Sequence, residues 1–128
     1  MNMQINIPDV LAEVTAAFDR YKRALNENDV HVLDDSFWTS PHTVRYGLAE
    51  NLYGRDEILA FRKGRSPAGT KRRLLRTAIT TFGRDFATAS CEFQRIESGR
   101  RGRQMQTWAR MPEGWRVVAA SVSWFDPA

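Results

Sequence analysis

The chain has 128 residues and a formal net charge of +4, and 42% of its residues are hydrophobic. This length predicts a single domain, 1–128, and the composition excludes a disordered chain. No apolar run approaches the roughly 20 residues that a membrane-spanning helix needs. The N-terminus lacks both the basic start and the apolar stretch of a signal peptide, and there is one cysteine, Cys91. These features predict a protein of the reducing cytoplasm.

Helices are predicted in the first half of the chain. Apolar residues recur every three or four positions after Pro8, which is typical of one buried helix face, and Tyr21 belongs to that face. The acidic residues that follow Gly54 suit the first turn of another helix. The predicted elements are, in chain order, a helix over 8–28, a short helix over 31–37, strands at 43–47 and 51–53, and a helix that begins at Gly54 and whose end is marked by Gly64, Pro67 and Gly69.

From Lys71 onward the hydrophobic period changes to two, which predicts strands. Four are expected, over 71–82, 86–96, 103–111 and 115–124, joined by tight turns into an antiparallel meander. Helices first and sheet last predict an α+β fold, with helices on one face of a strongly curved sheet. Such a cone can hold a ligand in its mouth, and its other face can pair with a second copy. Three aromatic residues, Phe93, Trp108 and Trp124, are candidates either for that pairing patch or for the core.

Charge is distributed unevenly. Residues 1–60 hold 5 Lys/Arg against 10 Asp/Glu, whereas residues 61–128 hold 14 against 5. Two basic clusters lie in the second half: Arg62, Lys63, Arg65, Lys71, Arg72, Arg73 and Arg76, then Arg100, Arg101 and Arg103. A solvated helix end and loop explain them better than nucleic-acid binding, because neither cluster carries the interleaved aromatic residues of a single-strand binder.

Common catalytic motifs are missing from the sequence. Two histidines, His31 and His42, without ligand-spaced cysteines or carboxylates speak against a metal site. Cys91 lies in the middle of a predicted strand and is expected to be a small core residue. No nucleophile, phosphate-binding or dinucleotide motif is present. The sequence therefore predicts no metal and no cofactor.

The remaining candidates are polar residues on otherwise apolar faces. Tyr21 is expected to bury its ring, and Arg45, which shares a strand face with Thr43, could clamp a substrate carboxylate. We predict that both side chains face one enclosed pocket in which no carboxylate pairs with Arg45. The alternative is an internal ion pair of Arg45 with Glu50 or Asp34 and a Tyr21 hydroxyl bonded to backbone. Strand alternation predicts Trp115, Val117, Ala119, Ser121 and Ser123 on one side of the last strand. Further pocket or rim candidates, each of which could instead be solvent-facing, are Gln104, Gln106, Ser121, Ser123, Arg72, Arg73 and Arg95.

Four segments resemble the AtzH-like proteins, which include the oxalurate-catabolism protein HpxZ and belong to the SnoaL-like and nuclear-transport-factor-like superfamily. They are YKRALNENDV (21–30), FWTSPHTVRYGLAENLYGRDEILAFRKGR (37–65), TTFGRDFATASCEF (80–93) and GRQMQTWARMPEGWRVVAASVS (102–123). The resemblance implies a cone-shaped α+β fold and a homodimer through the sheet. The sequence departs from the family pattern at Ser121, where relatives are expected to have a histidine.

The resemblance also implies an activity. It suggests a metal-free decarboxylase or amidohydrolase of a small ureido or N-carboxy acid, similar to the conversion of 1,3-dicarboxyurea to allophanate. Tyr21 and Arg45 match the tyrosine and arginine of the family, and an amidase is a possible partner. Candidate substrate contacts are Thr43, Trp38, Arg72, Gln104, Gln106 and Ser121. The alternative is a non-catalytic ligand-binding or accessory protein, which an Arg45 already paired with a carboxylate would favour.

Overall fold

Helices precede the long strands in the computed structural model, which describes residues 3–66 and 69–125. The elements are α1 (Pro8–Glu27), α2 (Val30–Asp35), β1 (Val44–Tyr46), β2 (Asn51–Tyr53), α3 (Arg55–Gly64), β3 (Arg72–Phe82), β4 (Phe86–Arg95), β5 (Arg101–Met111) and β6 (Gly114–Trp124). The predicted α+β class is confirmed, and the predicted boundaries agree closely with these elements. Pro67, expected to help end α3, lies outside the described residues.

The amphipathic pattern of α1 explains how this helix packs. Pro8 occupies the first turn, where its missing N–H is harmless, and Asn28 ends the helix in a left-handed conformation with φ of 53°. The buried face contains Val10, Val14, Phe18, Tyr21, Ala24 and Leu25. Each large apolar side chain buried in this way stabilises the fold by roughly 1.5–3 kcal/mol. This face lies against the sheet, so Tyr21 enters the interior with its neighbours.

The sheet has the strand order β2-β1-β6-β5-β4-β3. The four long strands form the predicted antiparallel meander. The sequence did not indicate that β1 pairs in parallel with β6, with Arg45 beside Ala120. This pairing places β1 between β2 and β6, with the Arg45 side chain on the inner face of the sheet.

The core lies between the helices and the inner face of the sheet. Phe93 and Trp108 are fully buried, so these two candidates for an exposed patch are core residues instead. Cys91 is buried in the same core, as expected, and burial raises the pKa of its thiol. Among the described residues, no helix is both long and apolar enough to cross a bilayer.

A register shift opposite Thr107 and Trp108 changes which side chains of β6 face inward. Trp115 and Val117 are buried, but beyond the shift it is Ala120 and Val122 that are buried, while Ser121 and Ser123 are exposed. The prediction that the last two serines share a face with Trp115 was wrong. One extra residue in a strand reverses the alternation beyond it, and the sequence carries no plain mark of this bulge.

Candidate functional site: an arginine-lined pocket

A small cavity of about 90 Å³ lies on the inner side of the fold, bordered by α1, α3, the β1–β2 turn and the sheet. Apolar side chains of α1, α3 and β6 form part of its wall. Its polar lining consists of Tyr21, Arg45, Glu50, Arg65, Arg72, Arg95 and Gln104. We call this cavity the arginine pocket, because four of these seven residues are arginines.

Tyr21 reaches the arginine pocket from α1 and is 2% exposed. Its hydroxyl oxygen accepts a hydrogen bond of 3.2 Å from Nε2 of Gln104 on β5. Its ring packs against Phe37 with centroids 6.1 Å apart. The hydroxyl is therefore held by a side chain rather than by backbone, and the Gln104 bond leaves the phenolic proton uncommitted.

Arg45 faces the same pocket from β1 and is buried. Its Nη1 donates a hydrogen bond of 3.0 Å to Oε1 of Glu50, and its guanidinium carbon lies 5.2 Å from the centroid of the Phe61 ring. The prediction that no carboxylate pairs with Arg45 was therefore wrong. The β1–β2 turn explains the pair: the Gly47 N–H donates to the Glu50 carbonyl over 2.8 Å and closes the turn, and the Ala49 N–H donates to Oε2 of Glu50 over 3.1 Å and holds the side chain.

Asp34, the other carboxylate considered for Arg45, has a different partner. Arg55 donates to both oxygens of Asp34, from Nε at 3.1 Å and from Nη2 at 2.7 Å. This two-bond arrangement is the geometry that favours arginine–carboxylate pairs. Asp34 is thus engaged at the start of α3, and Glu50 is the one carboxylate among the residues that line the arginine pocket.

Arg62 is the residue that sequence analysis missed. It is 1% exposed, and none of its three guanidinium nitrogens has a hydrogen-bond partner among the described residues. Its guanidinium carbon lies 5.0 Å from the centroid of the Phe37 ring, the same ring that packs on Tyr21. Assigning Arg62 to a solvated cluster was wrong. The signal was its position four residues after the buried Ile58, on one face of α3.

Other arginines of the pocket also have unpartnered nitrogens. Nε and Nη2 of Arg65, Nε of Arg72 and Nε of Arg95 find no hydrogen-bond partner in the described part of the chain. Arg72, which is buried, lies over the Phe93 ring at 4.1 Å. The solvated interpretation is therefore wrong for Arg72 as well.

Burial lowers the pKa values of these arginines, but the side chains stay charged. Burial lowers the pKa of Arg65 and of Arg72 to about 10, and neighbouring guanidinium groups add to the effect. Both side chains remain protonated at neutral pH. The pKa of Arg62 is also lowered, mainly by burial and against the attraction of Tyr21.

The same arginine charges lower the pKa of the Tyr21 hydroxyl. Burial alone raises the pKa of its hydroxyl, but Arg62 and Arg45 outweigh that effect, with smaller contributions from the Gln104 hydrogen bond and Arg72. The resulting pKa lies below the usual tyrosine range. Positive charge stabilises the phenolate, so this hydroxyl is a stronger acid than an exposed tyrosine.

The structure brings together some of the candidate site residues and separates others. Tyr21, Arg45, Arg72 and Gln104 line the arginine pocket. The other four candidates lie outside it. Thr43 is buried and donates to the Trp38 carbonyl over 2.8 Å; Trp38 itself packs its ring near His42; Gln106 accepts from Trp108 Nε1 over 3.1 Å; and Ser121 is exposed on the outer face of the sheet.

The rim candidates divide in the same way. Arg95 lines the pocket, whereas Arg73 is exposed and donates to Gln94 over 2.7 Å. Ser123 is exposed on the outer face with Ser121. A histidine at position 121 would lie on that outer face too, so the departure from the family pattern there does not alter the lining of the arginine pocket.

Solved structures place this architecture in the nuclear transport factor 2-like class of cone-shaped domains. A protein of that superfamily from Salmonella enterica is 27% identical with a TM-score of 0.71, and the match covers 94% of this chain and 92% of that one. Two more similar structures are a protein of unknown function from the DUF3225 family of Pectobacterium atrosepticum (58% identical, TM-score 0.94, covering 98% and 100%) and a cystatin-like fold protein from Burkholderia xenovorans (49%, 0.93, covering 99% and 100%).

Residues 3–128 match the AtzH-like family, and the chain belongs to it. No curated protein matches the chain.

Proposed function

We propose that the arginine pocket binds a small dianionic ureido or N-carboxy acid and that the protein removes one carboxylate from it as CO₂. The conversion of 1,3-dicarboxyurea to allophanate is the model reaction. Arg45 anchors the substrate and Tyr21 is the proton donor. The single observation that carries this proposal is the excess of guanidinium groups, several with buried unpartnered nitrogens, around one carboxylate.

Electrostatics favour an anionic ligand in this pocket. A buried charge without a partner costs several kcal/mol, so folded proteins rarely keep one unless a ligand uses it. Arg45 has Glu50, but Arg65, Arg72 and Arg95 line the same pocket and have buried nitrogens without a partner among the described residues, and the charge of Arg62 acts on Tyr21. An anion in the cavity would supply the missing acceptors. A dianion fits this charge balance better than a monoanion.

The chemistry follows from the acid that faces the pocket. In an N-carboxylated urea the bond between the carboxylate carbon and nitrogen breaks, and its electron pair goes to the nitrogen as CO₂ departs. The Tyr21 hydroxyl protonates that nitrogen, and solvent returns a proton to the phenolate. Arginines that lower the pKa of Tyr21 make this transfer easier, because they stabilise the phenolate that it produces.

Turnover of N,N′-dicarboxyurea, compared with its spontaneous loss of CO₂, tests the proposal. The assay is run at mildly alkaline pH, where N-carboxylates persist. Arg45→Ala is expected to lower the enzymatic rate by about 10²-fold or more while leaving the melting temperature nearly unchanged. Arg103→Ala, which removes an exposed arginine of the outer face, is the matched control and should retain the rate. If activity and melting temperature fall together in Arg45→Ala, Arg45 is structural.

A non-catalytic binding or accessory protein, such as a partner of an amidase, is the second candidate function. The Arg45–Glu50 ion pair favours it, because a pre-paired arginine is less available to a substrate. The same assay separates the two candidates. Ligand binding without any rate above the spontaneous reaction would support the accessory function.

We also propose that two copies of the chain associate through the outer face of the sheet. Two open concavities of about 570 and 280 Å³ lie on that face, and Met105 and Ser121 line both of them. Glu92 lies directly opposite Arg76 and Arg103 in the strand register, so the face carries charges of both signs. A surface of mixed sign suits pairing with itself about a twofold axis. Light scattering tests this, since a particle of 14.7 kDa would contradict it.

A further inference from the structure

Glu50 occupies an unusual place for a structural ion-pair partner. Its carboxylate lies inside the arginine pocket, where one oxygen accepts from Arg45 Nη1 and the other accepts from the Ala49 N–H over 3.1 Å. The Glu50 side chain is nevertheless 23% exposed, whereas that of Arg45 is 8% exposed. The acid is thus the accessible member of the pair, and solvent can receive it.

Gly47 makes the room for this carboxylate. A Cβ atom at position 47 would overlap Oε1 of Glu50 and come within 2.9 Å of Arg45 Nη1. The space above Gly47 and against Arg45 is therefore large enough for one carboxylate oxygen. It opens to the same cavity that Tyr21 faces.

Resting on the proposed function, we propose that Glu50 is an internal stand-in for a substrate carboxylate. It holds Arg45 in the empty pocket and is displaced when an anionic ligand takes its place above Gly47. Glu50 is then a specificity-determining residue. It keeps neutral molecules and weak acceptors away from Arg45, because only a carboxylate or a comparable anion can replace the bond that is lost.

Three observations make the exchange feasible. The pair is joined by one hydrogen bond rather than by the two-bond fork seen between Arg55 and Asp34. Glu50 lies on a turn next to a strand of three residues, so its side chain can swing outward without disturbing the core. The nearby Arg65 and Arg72 donors stay unpartnered while Glu50 is in place, so the resident carboxylate satisfies only part of the pocket.

Calorimetric titration with malonate, an unreactive dicarboxylate, tests the exchange. Glu50→Gln keeps the shape of the side chain but removes the competing charge. The apparent Kd equals the intrinsic Kd divided by the fraction of protein whose site is open, and Glu50→Gln increases that fraction. This variant should therefore bind malonate roughly tenfold more tightly than the wild type. Glu113→Gln, in the exposed turn between β5 and β6, makes the same change in net charge and should leave the Kd unchanged.

Gly47→Ala should have the opposite effect on malonate binding. It expels the Glu50 carboxylate, but its methyl group fills the space that the ligand carboxylate would take, so malonate binding should weaken at least roughly tenfold. Melting temperatures of both variants show that they fold. Tighter binding in Glu50→Gln together with weaker binding in Gly47→Ala supports the exchange, since loss of a structural ion pair would weaken binding in both.

The outcomes separate this inference from the function on which it rests. If wild-type protein binds malonate and Arg45→Ala does not, but Glu50→Gln binds no more tightly than the wild type, Glu50 is not a stand-in and the anion pocket stands. If neither wild type nor Glu50→Gln binds malonate, both the exchange and the proposed anion pocket are wrong.

Discussion

Arginine residues have opposite environments on the two faces of the sheet. On the outer face Arg76 and Arg103 are exposed, and both lie opposite Glu92 in neighbouring strands. On the inner face Arg45 and Arg72 are buried, and the pocket that they line contains one carboxylate. Water screens the outer charges, so they contribute little either way. The inner charges raise the energy of the empty pocket, and in the proposed function that energy attracts an anion.

Among the substitutions on the inner face, Tyr21→Phe should have the largest effect on activity, because it removes the proposed proton donor and leaves the charges of the pocket in place. Turnover of N,N′-dicarboxyurea should fall by about 10²- to 10⁴-fold, the usual contribution of a positioned acid. Tyr53→Phe is the matched control, since the Tyr53 hydroxyl bonds to that of Tyr46 at an exposed site. Steady-state rates of both variants measure the effect, and a Tyr21→Phe enzyme that retains most of its rate would exclude Tyr21 as the acid.

Arg62→Met separates charge from packing on the inner face. Removing a buried charge without hydrogen-bond partners should raise the free energy of unfolding by about 1 kcal/mol, although contact with the Phe37 ring is partly lost. Urea denaturation measures this change. Arg76→Met, the exposed counterpart, should change stability by less than about 0.5 kcal/mol. A strong loss of stability in Arg62→Met would show that Arg62 is structural.

The same substitution predicts a pH effect. Arg62 holds the pKa of Tyr21 down, so its removal should raise that pKa. Tyr21 must carry its proton to act as an acid, and activity is lost as the pH rises through its pKa. In Arg62→Met this loss should therefore move to higher pH, while the rate at neutral pH falls by about tenfold because the acid is weaker. The pH–rate profile of the variant measures the shift, and an unchanged profile would contradict it.

Gly102→Ala tests the support of the pocket rather than its charges. A Cβ atom at position 102 would overlap the ring of the buried Phe93, the ring over which Arg72 lies. Overpacking of this kind should lower the free energy of unfolding by about 1–3 kcal/mol and displace Arg72. Gly64→Ala, where a Cβ meets open space, should instead stabilise α3 by roughly 0.5–1 kcal/mol. Denaturant titration compares the two.

Met105→Glu probes the outer face and should leave the pocket untouched. Met105 is 63% exposed and lines both outer concavities. If two copies associate there, an added carboxylate should halve the particle mass seen by light scattering, to 14.7 kDa. Turnover by the dissociated protein should remain close to that of the wild type. A variant that remains paired would place the contact elsewhere.

Local patterns in the sequence were enough to predict most of the fold. Period-two and period-3.6 alternation identified the elements because each element buries one face. The same logic placed Tyr21 and Arg45 at the inner side, since a polar residue on an apolar face must point inward. The prediction failed for the pairing of Arg45 with Glu50, because a turn conformation decides that pairing and two acids were available.

The failures have physical causes of their own. The run of basic residues around Arg62 favours a solvated cluster, although helical spacing places Arg62 on the buried face of α3 with Ile58. Ser121 was assigned inward because a bulge in β6 is not visible in the alternation of residues. Contact of β1 with β6 depends on residues far apart in sequence, which no local pattern encodes.

That last contact orders events during synthesis on the ribosome. Arg45 leaves the ribosome 75 residues before Ala120, the residue beside which its strand is paired. Arg45 therefore stays exposed to solvent until β6 has been translated. Its transfer into the interior follows the synthesis of β6, so a nascent chain truncated before β6 should lack a closed arginine pocket.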